Sequence, residues 1–316
     1  MATESIQADL SATQAAQPRL RFRWLSDRLL SGLFLSPTLA LLLFITIFPL
    51  IWSLYLSFTD YNVNADPGWL QAEWVGLENY ADLLRSDRIW ERFIESATFV
   101  VPTVTLEFLF GFGIALLFNR KFAGRGLVTT VILIPMMLAP LVVGMFWRFM
   151  FQADIGIVNY FIRDVFGFEQ VNWLTNRTTS MIALILVDTW QWTPFVFLIS
   201  LAGLSAVPTY LYEAAEVDRA SAWFKFRHIT LPLVWPLLLI AILFRLMDTY
   251  KLFELAWVLT GGGPGTRVLP IHLYKIAFSD FETGRASALG YIMLVVIIAL
   301  ANLLIRALNR ARAEEG

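Results

Sequence analysis

Long uncharged runs alternate with short polar segments along this chain, and six of the runs are long enough to cross a bilayer as helices. A crossing needs roughly 20 apolar residues. The first run lies within residues 29–59, between Arg28 and Asp60. The second covers about 96–118 and holds Glu107, and the third fills 127–147, between Arg125 and Arg148. The fourth runs over about 180–203 with Asp188 inside it, the fifth from Leu233 to about Trp257, and the sixth over 286–305. Pro37, Pro49, Pro135, Pro140 and Pro194 fall within or at the ends of these runs. Neighbouring helices tolerate them by re-satisfying the freed carbonyls. The pattern predicts an all-α polytopic membrane protein of six transmembrane helices. A tail at 1–28 precedes the membrane domain at 29–308, and a second tail occupies 309–316.

Lys and Arg give the direction. With the N-terminus inside, the inner segments carry thirteen basic residues against eight acidic ones, while residues 60–95 alone hold eight acids. Basic residues favour the inner face, so both ends and the segment 205–232 are expected to face the cytoplasm. Residues 1–18 are small and polar, with Glu4 and Asp9 where a signal peptide would be basic, and are expected to be an unstructured tail. The loops after the first, third and fifth runs carry amphipathic pieces at 77–95, 155–168 and 271–281, which are expected to lie along the outer surface.

Composition agrees. Of 316 residues, 58% are hydrophobic and 16% charged, against about 25% charged in a soluble domain. Twelve Trp and nine Tyr suit the two interfaces. Without cysteine, and with only His228 and His272, thiolate metal sites and disulfides are excluded and a zinc or haem centre has no ligand set. A phosphate-binding G-x-x-x-x-G-K-[ST] motif is also missing. The run Gly261-Gly262-Gly263-Pro264-Gly265-Thr266-Arg267 lacks its Lys and reads as a turn-rich loop.

Ionisable residues inside spans are costly and are therefore functional candidates. Glu107 is expected to hydrogen-bond a neighbouring helix. The fifth run carries Arg245, Asp248, Lys251 and Glu254 at steps of three, a stripe of alternating sign that cannot face lipid. Arg245 and Asp248 either pair with each other or face a wet path.

One charged island interrupts the apolar pattern between the fourth and fifth runs. Its first half is Glu213-Ala214-Ala215-Glu216-Val217-Asp218-Arg219-Ala220, and it ends on Ile229-Thr230-Leu231-Pro232. Pro208 suits a helix start. Leu211, Ala214 and Ala215 repeat at helical spacing, and Trp223, Phe224 and Phe226 make the second half apolar. A charged helix pair held between two spans is placed to transmit force to something outside the lipid.

That island resembles the EAA signature of permease subunits of binding-protein-dependent ABC importers, of the MalF-like carbohydrate-uptake class. Pro49-Leu50-Ile51-Trp52-Ser53-Leu54-Tyr55-Leu56-Ser57-Phe58, Val75-Gly76-Leu77-Glu78-Asn79-Tyr80, Ile134-Pro135 and Leu259-Thr260-Gly261-Gly262-Gly263-Pro264 resemble the same family. The likeness covers nearly all of the chain beyond residue 28. It implies that Glu213, Ala214, Ala215, Asp218, Arg219, Ile229, Leu231 and Pro232 couple the chain to a cytoplasmic ATPase. It also implies that Gln191, Trp192 and Phe195, facing Arg245, Asp248 and Thr249, line the substrate path. Aromatic faces there would cover the C–H patches of a sugar, and the polar groups would bond its hydroxyls.

The partners so implied are a second, homologous permease, two cytoplasmic ATP-binding subunits and an external solute-binding protein, with membrane lipid and no nucleic acid. The chain itself would be no enzyme and would carry no cofactor, ATP and Mg residing on the ATPase subunits. One position departs from the family, since Arg219 stands where glycine is usual. A proton-coupled secondary transporter, with Glu107, Asp188 and Asp248 as carriers, is the alternative. It is disfavoured because such carriers show internal repeats and this chain shows none.

Overall fold

The computed structural model describes residues 27–64, 68, 72–120 and 122–313. The regular elements among them are helices: α1 (Asp27–Leu56), α2 (Glu78–Arg85), α3 (Asp87–Phe118), α4 (Arg125–Met137), α5 (Pro140–Met150) and α6 (Ile157–Tyr160). After them come α7 (Arg177–Ala206), α8 (Thr209–Val217), α9 (Ala222–Tyr250), α10 (Glu254–Thr260), α11 (Leu269–Phe278) and α12 (Thr283–Ala313). Of the expected N-terminal tail, only Asp27 and Arg28 are described, and both already belong to α1. Arg19, Arg21, Arg23, Lys121 and residues 314–316 lie outside the described residues. The membrane domain expected to stop at 308 continues helically to Ala313.

By compactness the chain divides into residues 1–53 and 54–316. In the first unit α1 is an apolar rod whose Phe34, Leu41, Phe44 and Ile45 are exposed, as suits a lipid-facing span. The second unit contains every other element.

Two runs do not fold as single rods. The third, expected at 127–147, is broken between α4 and α5 by a bend of 95°. Pro140 is the cause. It lacks an N–H and pushes the preceding residue out of helical backbone, and Ala139 is extended at φ −64° and ψ 135°. The fifth run, expected to reach Trp257, stops at Tyr250, and α10 starts afresh at Glu254. Lys251 and Glu254 therefore do not continue the stripe begun by Arg245 and Asp248. At its start the same helix extends back to Ala222 through a wide π-type turn at Phe226–Thr230. Such a turn removes the clash that Pro232 would otherwise force on the preceding turn. The amphipathic piece at 77–95 is also divided, its second half forming the first turns of α3 rather than lying apart.

Contacts along α3 and α7 show that the two helices run parallel. Arg177 meets Glu95 at 3.3 Å near their starts, and Phe118 meets Phe197 at 5.3 Å between ring centres near their ends. Two parallel helices require the intervening chain to return from one end to the other, so the bent pair α4–α5 makes the traverse. Helix α9 runs against both, its Phe226 meeting Phe112 and its Arg245 meeting Glu107. Glycines allow the close approach. A Cβ on Gly111 would stand 2.7 Å from Val196 Cβ, and one on Gly203 would stand 2.8 Å from Val234 Cγ1.

The buried apolar side chains form two clusters. One gathers Phe99, Val104, Leu184, Val187 and Leu255, and the other gathers Phe112, Phe118, Phe197, Leu204 and Leu238. Along α3, α7 and α9 the break between the clusters falls at Glu107, Asp188 and Arg245. Charged groups occupy the middle of the bundle.

Candidate functional site

Three parallel or antiparallel helices each deliver one ionisable side chain to the same depth. Arg245 of α9 grips Glu107 of α3 with both arms, Nε to Oε2 and Nη2 to Oε1, each at 2.8 Å. The same Nη2 donates to Asp188 Oδ2 of α7 at 3.0 Å and to Thr249 Oγ1 at 2.9 Å. Nη1 donates to Asp248 Oδ2 at 3.1 Å, and the guanidinium lies 4.7 Å above the Trp192 ring. Bidentate arginine–carboxylate pairing is among the stronger hydrogen-bonded arrangements. Glu107 and Asp188 are fully buried, whereas the Asp248 side chain is 57% exposed.

That exposure opens onto a cavity of about 320 Å³, lined by Trp192, Phe195, Phe244, Arg245, Met247, Asp248 and Lys251. Of the six residues expected on the path, Trp192, Phe195, Arg245 and Asp248 line this space. Gln191 and Thr249 stand behind it. Gln191 is fully buried and donates from Nε2 to the carbonyl of Leu138, at the break between α4 and α5, at 3.0 Å. Thr249 is occupied by Arg245. The convergence of Glu107 and Asp188 on Arg245 was not readable from spacing, because the partners lie 138 and 57 residues apart. The available signal was one arginine and two lone carboxylates on three separate apolar spans.

The segment 205–232 forms α8, a turn and the start of α9. Tyr212 Oη and Thr230 Oγ1 meet at 2.8 Å and tie its two halves together. Helix α8 ends in a Schellman motif, with Ala220 N donating to Ala215 O at 2.8 Å and Arg219 N to Glu216 O at 3.0 Å. Arg219 occupies its left-handed position at φ 53°. The turn thus keeps the geometry that glycine serves, with an arginine in it. Glu216 pairs with Lys225 at 3.0 Å. Glu213, Ala214, Asp218 and Arg219 are exposed, and among the described residues neither Glu213 nor Arg219 has a side-chain partner. Ala215 is buried, Ile229 and Leu231 are half-buried, and Pro232 is exposed. Beside them lies a cavity of about 490 Å³ lined by Leu211, Ala215, Asp218, Ala220, Ser221, Phe224 and Ile229.

At the opposite end, α3, the glycine loop and α11 enclose a depression of about 870 Å³. Arg88, Arg92, Arg267 and Lys275 line it together with Asp87, Glu91 and Asp280. His272 stands in its wall. Burial, with the charges of Arg92, Arg88, Lys275 and Arg285, pulls its pKa down to about 4. Gly261, Gly262 and Gly265 adopt positive φ, and Thr260 bonds Thr266 across the loop at 2.7 Å. The loop is a closed turn, not a phosphate cradle.

Residues 107–313 match the family described as the binding-protein-dependent transport system inner membrane component. A probable ABC transporter permease protein, y4oQ, of Sinorhizobium fredii is 38% identical over 88% of this chain and 89% of its own. The trehalose/maltose transport system permease protein MalF of Thermococcus litoralis is 31% identical over 89% of this chain and 93% of its own. In fold, the chain superposes on a chain of a bacterial ABC transporter that imports alginate, with a TM-score of 0.77 at 21% identity, over 89% of this chain and 95% of that one. Such permeases work with a solute-binding protein and an ATPase, and are transport components rather than enzymes. The chain is a multi-pass membrane protein and belongs to the family of inner membrane components of binding-protein-dependent transport systems.

Proposed function

We propose that this chain forms one half of a path for a sugar or sugar-like solute, and that the segment 205–232 couples the path to ATP hydrolysis. The observation that carries the reading is an arrangement. The cavity lined by Trp192, Phe195 and Asp248 lies between α7 and α9, and these are the two helices that enter and leave the charged segment. A displacement of α8 is passed directly to both walls of the cavity. Flat Trp and Phe faces beside a carboxylate suit a sugar ring with its hydroxyls. The trehalose/maltose relative supports that solute class.

Glu213, exposed and unpaired among the described residues, is the group offered to the ATPase, with Ala214, Ala215, Asp218 and Arg219 beside it and Ile229, Leu231 and Pro232 anchoring the far side. The basic residues Arg120, Arg125, Arg227 and Arg306 favour this end as cytoplasmic, with both termini inside. A second, homologous permease completes the pore, two ATPase copies bind below, and the binding protein delivers solute at the opposite end. The cell membrane is then a bacterial or archaeal inner membrane. The test is uptake of radiolabelled trehalose and maltose by proteoliposomes holding the assembled importer. Uptake that requires ATP and the binding protein and ignores a proton uncoupler is expected. Uptake that collapses with the proton gradient would return the chain to the secondary-carrier reading.

A further inference from the structure

The central ion network bears on which sugars the path accepts, an inference that rests on the reading of the Trp192 cavity as that path. Arginine offers two edges for bidentate pairing. In Arg245 the Nε–Nη2 edge is filled by Glu107, and the Nη1–Nη2 edge is shared by Asp248 and Asp188. Four of its five N–H groups are engaged. An anionic solute would have to displace a carboxylate to be held there.

The balance of charge points the same way. Arg245 and Lys251 are the cations of the network and cavity, and Glu107, Asp188 and Asp248 are the carboxylates. Glu254 adds a fourth carboxylate in the adjoining space lined by Asp248 and Lys251. Asp248 is the network's most exposed member, and the guanidinium stacks over one face of the Trp192 ring at 4.7 Å. The surface presented to a solute is thus an aromatic face and a carboxylate acceptor, both fixed by a buried arginine.

We propose that Arg245 is a positioning residue that sets Asp248 and Trp192 on the cavity wall, so that the path takes an uncharged polyhydroxylated solute and rejects anionic ones. Asp248 accepts the solute's hydroxyl hydrogen bonds, and Trp192 covers its C–H face. Arg245 does not itself receive the solute.

The assembled importer in proteoliposomes, with its partner permease, ATPase and binding protein, tests this with four probes. These are trehalose and maltose as neutral solutes, and an alginate disaccharide and a sulfonated glycoside as anionic ones. The wild type is expected to import a neutral probe and neither anion. Asp248→Asn should raise KM for that probe about tenfold or more, the loss of a charge-assisted hydrogen bond, with kcat within about twofold. Arg245→Lys keeps the charge but cannot hold two carboxylates in one plane, and should give the same rise. The double variant should be no worse than either single one, because the two residues act through one contact. Import of an anionic probe that is lost in Arg245→Lys would overturn the proposal, as would an unchanged KM in Asp248→Asn. Should Arg245→Lys fail to assemble, the half-exposed Asp248 still decides the matter alone. Import of neither class, with ATP hydrolysis still stimulated by the binding protein, overturns the sugar reading itself and this inference with it.

Discussion

Arg219 holds a left-handed turn position, of the kind glycine serves, with a long charged side chain. An L-residue in left-handed backbone costs about 1–2 kcal/mol relative to glycine, part of which glycine returns through its freer unfolded chain. With φ 53° and no side-chain partner among the described residues, nothing within the chain offsets that strain. Arg219→Gly is therefore expected to leave the solubilised protein unchanged or up to about 1 kcal/mol more stable, read as its thermal unfolding midpoint. A lower midpoint would mean that the guanidinium holds the turn. At the other end His272 sets a pH dependence. Its folded pKa of about 4 lies below the ordinary 6.5, so between these values the unfolded chain binds a proton that the folded one refuses. Stability should fall as pH drops from about 6.5 towards 4, and His272→Gln should flatten that slope in urea or thermal titrations. Helical spacing in the charged segment predicted both halves of the loop, and the resemblance to the EAA signature singled out Arg219. It could not say that the left-handed geometry would survive, since that depends on hydrogen bonds of the finished Schellman turn.

Helices in this bundle are held in register by small residues as much as by the ions. Gly111 and Gly113 lie on the same helix, yet a Cβ on the first would meet Val196 at 2.7 Å, while one on the second has nothing within 4 Å. Gly111→Ala should therefore cost about 1–3 kcal/mol by wedging α3 from α7, and should loosen the grip of Arg245 on Glu107. Gly113→Ala should be neutral or slightly stabilising, since alanine is the better helix former. Comparing the two thermal midpoints separates wedging from propensity, and equal midpoints would refute the close-approach argument. Most elements were legible because a span is written in consecutive residues: uncharged runs located the five long apolar helices and the bent pair α4–α5, with errors of a few turns at ends such as Asp87, where charged residues extend the helix beyond the apolar run. The 95° break at Pro140 was not legible, because Pro37, Pro49, Pro102 and Pro194 sit inside helices that stay continuous. At Pro140 the broken geometry also has a tertiary partner. Gln191, from another helix, accepts the role of donor to the Leu138 carbonyl that the break sets free.

For the molecule as a whole, α3 running parallel to α7 forces a crossing between them, and the alternation of ends follows. Reporter fusions at residues 70, 165 and 275 should read as external and those at 122 and 220 as cytoplasmic, and a cytoplasmic signal at 165 would sink this arrangement. In that orientation the charged segment and the Trp192 cavity would be two ends of the proposed lever, joined by α7 and α9. Glu213 and Glu216 lie three apart on α8, but they are not equivalent. Glu216 is already paired with Lys225, whereas Glu213 is exposed and has no partner among the described residues. Reversing Glu213 should thus leave the chain's own stability nearly untouched while removing the proposed charge-assisted contact to the ATPase, worth about 1.5–3 kcal/mol. Glu213→Lys is expected to insert and unfold like the wild type, to lose most co-purifying ATPase, and to abolish import. Glu216→Gln breaks only an exposed pair and should change import less than about twofold. If Glu213→Lys transported normally, the segment would be a membrane-surface element, and the lever would have to be sought elsewhere in the bundle.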